Sequence, residues 1–214
     1  MPFDLATMAL RLPALLVALS FHEFAHAWAA DRLGDPTPRR MGRLTLEPWA
    51  HLDPIGTLMI LLYGFGWAKP VPTNPYFYRI GARRGLLWTS LAGPAANVLL
   101  GFVFAVLFVV DFFTGVFGGI PHLSRIIEVT FQLNVVLAVF NLLPIPPLDG
   151  SKVLAGILPG RQAEAIERLE RVGPFLLLFV LLTGVADGII RAASTAVTGF
   201  LLEAAVTLWR LLPL

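Results

Sequence analysis

Apolar stretches of about twenty residues, the length of helix that crosses a hydrocarbon core, recur along this chain. With 57% hydrophobic and 14% charged residues, and a mean hydropathy of +0.75, the chain lies outside the ordinary soluble range. A bilayer is the medium this implies, and one helical membrane bundle is the economical reading of 214 residues. The net charge is only +2, and Lys and Arg gather near segment ends as in membrane proteins generally, which argues against nucleic acid as a partner. Cysteine is absent, so there are no disulfides, and a metal site would have to be built from His and carboxylate ligands.

Five stretches are read as spans: residues 5–30, 86–113, 126–143, 172–190 and a shorter 196–212. The first lacks the basic start and small-residue cleavage site of a signal peptide and reads as a retained helix. Between the first two spans, Pro36, Pro38, Pro48 and Pro54 exclude one continuous helix. Residues 43–47 alternate polar and apolar, as a short strand would. Residues 55–67 are apolar but fall short of the roughly 17 needed to span, so a re-entrant or interfacial segment is expected there. Residues 67–75 are held extended by Pro70, Pro72 and Pro75. Residues 161–172 are charged and helix-favouring, an interfacial helix with one solvated face. The expected architecture is an all-α, multi-pass bundle of about five spans with a re-entrant segment and a small β-hairpin or sheet within 42–75. It forms a single domain over 1–214, with a core at 5–155 and additional helices at 161–212.

Orientation follows from basic residues. Residues 31–85 hold Arg32, Arg39, Arg40, Arg43, Lys69, Arg79, Arg83 and Arg84, whereas the 114–125 turn holds Arg125 alone, so the first group is placed on the cytoplasmic side of the cell membrane. Lys152, Arg161, Arg168 and Arg171 fall on that side only if 55–67 does not cross.

His22-Glu23-Phe24-Ala25-His26 is an H-E-x-x-H pattern; on a helix its two imidazoles lie on one face at a spacing that chelates one zinc. Glu23 then reaches the open position, where it takes a proton from the hydrolytic water and passes it to the leaving amine. Such a pattern also arises by chance on solvated faces, but inside an apolar helix buried Glu and His each cost a few kcal/mol and call for a partner or a function. The third ligand is sought by depth. His22 lies about 25 Å along the first helix at 1.5 Å per residue, and Asp149, beyond the third span, reaches a similar depth. The second span contains Gly93-Pro94-Ala95-Ala96-Asn97 at the same level. Gly93, Ala95 and Ala96 read as a packing notch, and Asn97 either as an interhelical hydrogen-bonding group or as a substrate contact.

The H-E-x-x-H helix, the Gly-Pro-Ala-Ala-Asn segment and Asn141-Leu142-Leu143-Pro144-Ile145-Pro146-Pro147-Leu148-Asp149-Gly150 together resemble the site-2 protease family, the last matching its N-x-x-P-x-P-x-x-D-G motif at every fixed position. The resemblance covers residues 5–155 well and the last sixty poorly. It implies one Zn2+ per chain held by His22, His26 and Asp149, Glu23 as general base and acid, and cleavage of a transmembrane protein or peptide near the cytoplasmic side; Asn141 is a further candidate substrate contact. No segment between the spans has room for the PDZ or nucleotide-sensing domain of larger members, so a minimal core is expected.

A helical substrate must be extended before water can attack its peptide bonds, and residues 67–73 suit that task by β-augmentation. The edge of Lys69, Val71 and Thr73 keeps both its donors and its acceptors and is a candidate to bind substrate, with 43–47 as an internal partner on one edge and the receiving edge left open; the alternative is that the prolines merely stiffen a loop. His51 reads as a surface or loop-anchoring side chain rather than an oxyanion stabiliser, His122 as an outer-turn residue, and Asp187 with Arg191 as a neutralising helix pair. A metal transporter or channel, or a protein that binds membrane helices without cutting them, are the competing functions; neither explains Glu23 beside three ligands.

Overall fold

The apolar runs fold as helices in the computed structural model, which describes residues 5–63 and 66–211. The first, α1 (Leu5–Leu33), has 29 residues and so reaches about 43 Å, beyond a hydrocarbon core of roughly 30 Å. Past its end Gly34 adopts φ 112°, a conformation that side-chain-bearing residues rarely take. Three short helices follow, α2 (Thr37–Arg40), α3 (Pro48–His51) and α4 (Pro54–Tyr63), each with proline in its first two positions, where no helical N–H is lost. Then come α5 (Ala82–Thr114), α6 (Leu123–Asn141), α7 (Asp149–Ile157), α8 (Gly160–Leu169), α9 (Gly173–Thr183) and α10 (Asp187–Leu211). Among the described residues α5, α6 and α10 are each long and apolar enough to cross a membrane. The protein is a helical membrane protein.

Helix α5 is the centre of the packing and touches α1, α6, α7 and α10. Pairs spaced four apart, and therefore on one helix face, supply the apolar core between three of these helices: Ala105 and Val109 from α5, Phe131 and Val135 from α6, Leu201 and Ala205 from α10. Near the far end of α5, the Phe113 ring stacks on Trp209 of α10 with centroids 5.5 Å apart. A second cluster, Leu143, Leu148, Val180 and Ala186, seats α9 against the chain between α6 and α7.

Two expectations are corrected. Residues 43–47 form a bend rather than a strand, because Gly42 turns the chain at φ 67° and the bend is pinned by side chains: Arg43 donates to the carbonyls of Lys69 and Pro70, and His51 Nε2 donates to the Thr45 carbonyl. The β-hairpin or sheet is accordingly reduced, among the described residues, to one antiparallel bridge between Leu52 and Ala68 with a Lys69 N–H to His51 carbonyl bond of 2.8 Å. Second, the apolar run 172–190 does not continue as one helix. Gly184 at φ 66° closes α9 after 11 residues, about 16 Å, and α10 restarts at Asp187 rather than at 196. Asp187 therefore serves the positive end of a new helix, and no ion pair joins it to Arg191 among the described residues. The segment at 55–67, expected to be re-entrant or interfacial, is helical as α4, and its flanks approach each other: Leu52 neighbours Ala68, and a Cβ on Gly56 would fall 2.0 Å from the Trp67 carbonyl oxygen. Its two ends lie side by side; residues 64 and 65 of that stretch are outside the described residues.

Candidate metal centre

Helices α1 and α5 run antiparallel, and residues four apart on each meet in register. His22 and His26 lie on one stripe of α1; Thr89, Gly93 and Asn97 lie on one stripe of α5. His22 Nδ1 donates to Asn97 Oδ1 at 2.6 Å, and His26 Nδ1 donates to the Thr89 carbonyl at 2.7 Å. Pro94 has no N–H for the turn behind it and its ring crowds that turn, which contains Thr89 and Ser90. Between the two bonds Gly93 lets the rings approach: a Cβ there would lie 2.4 Å from His26 Nε2 and 2.7 Å from His22 Cε1. Of the packing notch read from the sequence, Gly93 receives the imidazoles themselves, whereas Ala95 is exposed and Ala96 half-buried.

Asp149 comes from the third element. The proline-rich chain after α6 cannot remain helical, and α7 begins at Asp149, which places the carboxylate at the positive end of a helix dipole. Gly150 makes this possible, since a Cβ there would meet the Leu142 carbonyl oxygen at 2.3 Å. Asp149 Oδ2 lies 3.1 Å from His22 Nε2 and 3.1 Å from His26 Nε2, and the two Nε2 atoms are 3.0 Å apart.

This near-equilateral triangle of buried atoms fits a metal on chemical grounds. A backbone carbonyl can only accept, so His26 carries its proton on Nδ1 and turns a lone pair on Nε2 inward. Asn97 gives both hydrogens of Nδ2 away, to Ala18 O and to Asn134 Oδ1, so its Oδ1 accepts from His22 and fixes the same tautomer there. Two imidazole lone pairs and a carboxylate oxygen then face one another, a mutually repulsive arrangement unless a cation lies among them. Two nitrogens and one oxygen, with a fourth direction open to a cavity, match a catalytic zinc donor set.

Glu23 is nearly buried beside this set, and its Oε2 accepts the Val71 N–H at 3.1 Å. Val71 is aimed there by two neighbours. Lys69 is tied to His51 through its N–H, and Arg43 holds the carbonyls of Lys69 and Pro70. Burial depresses the Arg43 guanidinium below the usual arginine range, a pull opposed by the nearby charge of Glu23. A cavity of about 390 Å³ opens in front of the triangle, and His22, Glu23, His26 and Asp149 line it with Trp67, Val71, Thr73, Asn141 and Lys152.

The residues singled out by sequence therefore divide. His22, Glu23, His26, Asp149, Asn141, Val71 and Thr73 meet at one cavity. Asn97 stands fully buried behind His22 with its amide engaged by protein groups, away from the space open to substrate. Lys69 has its N–H and carbonyl engaged internally. His51 is buried and anchors the 45–51 loop, as one of its two readings had it. His122 precedes α6 at φ 64°. Asn134 and the proximity of Gly93 to both imidazoles escaped the sequence reading, because they depend on the register between helices, which no local spacing encodes.

Comparison with known proteins agrees with this geometry. The model of "Peptidase family M50" matches residues 119–183, which include the Asp149 segment. YwhC of Bacillus subtilis (strain 168), provisionally named a zinc metalloprotease, is 39% identical over 83% of this chain and 83% of its own length. Rip2 of Mycolicibacterium smegmatis, named in the same terms, is 33% identical over 78% of this chain and 64% of its own length. MJ0611 of Methanocaldococcus jannaschii, likewise, is 30% identical over 71% and 72%. No solved structure gives a significant match. On these grounds, and above all on the extent of its likeness to YwhC, the chain belongs to peptidase family M50, the site-2 protease family.

Proposed function

We propose that this M50 zinc metalloprotease hydrolyses peptide bonds of transmembrane proteins or peptides within the bilayer, near its cytoplasmic side. The observation that carries the reading is the convergence of His22, His26 and Asp149, with Glu23 beside them, on a cavity among helices long enough to span. Zinc, when bound by these three residues, supplies the Lewis acidity that polarises the scissile carbonyl and lowers the pKa of the attacking water. The remaining chemistry belongs to the chain. Glu23 accepts a proton as the water oxygen bonds to the carbonyl carbon, and returns it to the amine as the C–N bond breaks. The Val71 N–H steadies the Glu23 carboxylate between these transfers. Asn141, whose Nδ2 donates to the Leu137 carbonyl, faces the cavity with an oxygen available to a substrate backbone. Lys69 is engaged elsewhere and the Val71 N–H is given to Glu23, so extension of the substrate along 67–73 rests on the Val71 carbonyl and Thr73.

The excess of basic residues in 31–85 supports an orientation with the cavity's mouth towards the cytoplasm. A metal-conducting path is the weaker reading, since the groups behind the ligands are amides paired with one another. The test is purified protein with its Glu23→Gln and Asp149→Asn variants, assayed for zinc and on a model transmembrane peptide. Glu23→Gln is expected to keep about one zinc per chain and to lose roughly 10²- to 10⁴-fold in cleavage. Asp149→Asn is expected to lose zinc. Undiminished cleavage by Glu23→Gln would refute the mechanism.

A further inference from the structure

The polar groups behind His22 form a directed chain. Thr130 O, a backbone carbonyl that can only accept, takes a hydrogen from Asn134 Nδ2 at 2.8 Å. That orients Asn134 so that its Oδ1 faces Asn97, from which it accepts at 2.9 Å. Asn97 gives its other hydrogen to Ala18 O at 3.1 Å, and the oxygen left over faces His22 Nδ1 at 2.6 Å. Both amides are fully buried, at 0% exposure, where no water can substitute for a missing partner.

Reversal of the Asn97 amide would change the function of His22. Its oxygen would then confront two acceptors, and its NH₂ would point at His22 Nδ1, which would have to become the acceptor. The His22 proton would move to Nε2, the atom that faces His26 and Asp149. A single amide flip thus converts a metal ligand into a non-ligand. Ala18 O opposes the flip alone only in part; Asn134 Oδ1 doubles the opposition.

We infer that Asn134 is a positioning residue for the metal centre: acting through Asn97, it holds His22 in the tautomer that presents its Nε2 lone pair to zinc. The inference rests on the reading of His22 as a zinc ligand, and it assigns to α6 a role in metal binding beyond packing. The competing account is that Asn134 and Asn97 merely join α5 to α6 as a pair of buried amides.

The experiment uses the full chain in detergent micelles or nanodiscs, with zinc alone as the probe and a competing chelator to read its affinity. Nitrogen chemical shifts of histidine-labelled, metal-free protein report each tautomer separately. Wild type is expected to show His22 protonated at Nδ1 throughout, with no tautomer that carries its proton on Nε2 alone. Asn134→Leu, of similar shape but without an acceptor, is expected to bind zinc about tenfold more weakly, at the lower end of what outer-shell partners contribute, and to show both tautomers of His22. Asn134→Asp keeps an acceptor oxygen for Asn97 at the same reach and is expected to recover both properties. Val135→Ala, which opens a cavity beside Asn134 without touching the chain of amides, is expected to lower thermal stability while zinc affinity stays at the wild-type value.

Wild-type zinc affinity with one tautomer in Asn134→Leu would overturn the inference. So would an Asn134→Asp variant as weak as Asn134→Leu, or equal loss of zinc affinity in Val135→Ala, either of which assigns the effect to packing. If Asn134→Leu does not fold, the wild-type spectrum decides: a His22 tautomer in metal-free protein that is protonated at Nε2 and not at Nδ1 refutes the inference. Failure of wild type to bind zinc would instead refute the function proposed above, leaving the tautomer measurement to be judged by itself.

Discussion

At the scale of single residues, the site depends on one atom that is missing. Gly93 and Gly101 both lie on α5 with neighbours against them, but a Cβ on Gly101 would meet its nearest atom at 3.6 Å, ordinary contact, whereas on Gly93 it would sit 2.4 Å from a ligand nitrogen. Gly93→Ala is therefore expected to displace His26 and His22 and to weaken zinc binding on the order of 100-fold, the upper range for groups that orient ligands. Gly101→Ala should keep wild-type zinc content and gain up to about 1 kcal/mol from helix propensity. Zinc analysis and thermal unfolding of the two variants check this; equal zinc content in both would refute the steric account. The ligands themselves were legible in the sequence because His22 and His26 share one helix face and Asp149 follows a proline pattern that cannot be helical. Gly93 and Asn134 were not, since a glycine or an asparagine in an apolar helix acquires a role only from the helix opposite it.

At the scale of elements, long helices could be read from hydropathy, but their interruptions could not. Gly184 breaks an apolar run without altering its hydropathy, because the interruption resides in a positive φ. Conversely, the alternation at 43–47 matched a strand, yet the buried side chains of Arg43 and His51 bind backbone carbonyls and fold the segment into a bend. That bend gives the extended 67–73 segment its work. Through Arg43 and His51 it fixes Lys69 and Pro70, and so directs the Val71 N–H at Glu23. Val71→Pro removes this donor and is expected to lower cleavage about tenfold or more with zinc content unchanged, because the loss of one hydrogen bond to a charged group costs roughly 1.5–3 kcal/mol. Val71→Ala retains the N–H and should remain close to wild type in cleavage. If both variants cleave equally well, the segment does not position Glu23.

At the scale of the whole molecule, the path of the chain can be followed from contacts between its ends. Helices α1 and α5 are antiparallel, as the pairs His22 with Asn97 and His26 with Thr89 require, so everything from Gly34 to Gly81 begins and finishes on one side. Within that stretch α4 does not carry the chain across, because Leu52 and Ala68 are bridged neighbours. On the orientation proposed above this side is the cytoplasmic one, since Arg39, Arg40, Arg43, Lys69 and Arg79 all fall in this region. The turn between α5 and α6 must then face the opposite side, with Ile120 exposed in it. The absence of cysteine from the sequence makes this directly testable, since single cysteines can be introduced at exposed positions without background labelling. Met41→Cys before the bridged segment and Tyr76→Cys after it should react with a membrane-impermeant thiol reagent only from the cytoplasmic side, and Ile120→Cys only from the other. Reaction of positions 41 and 76 from opposite sides would mean that residues 55–67 span the membrane after all. Reaction of 41 and 120 from the same side would mean that α5 does not cross, and the cavity between it and α1 would then have to be reached from a different face.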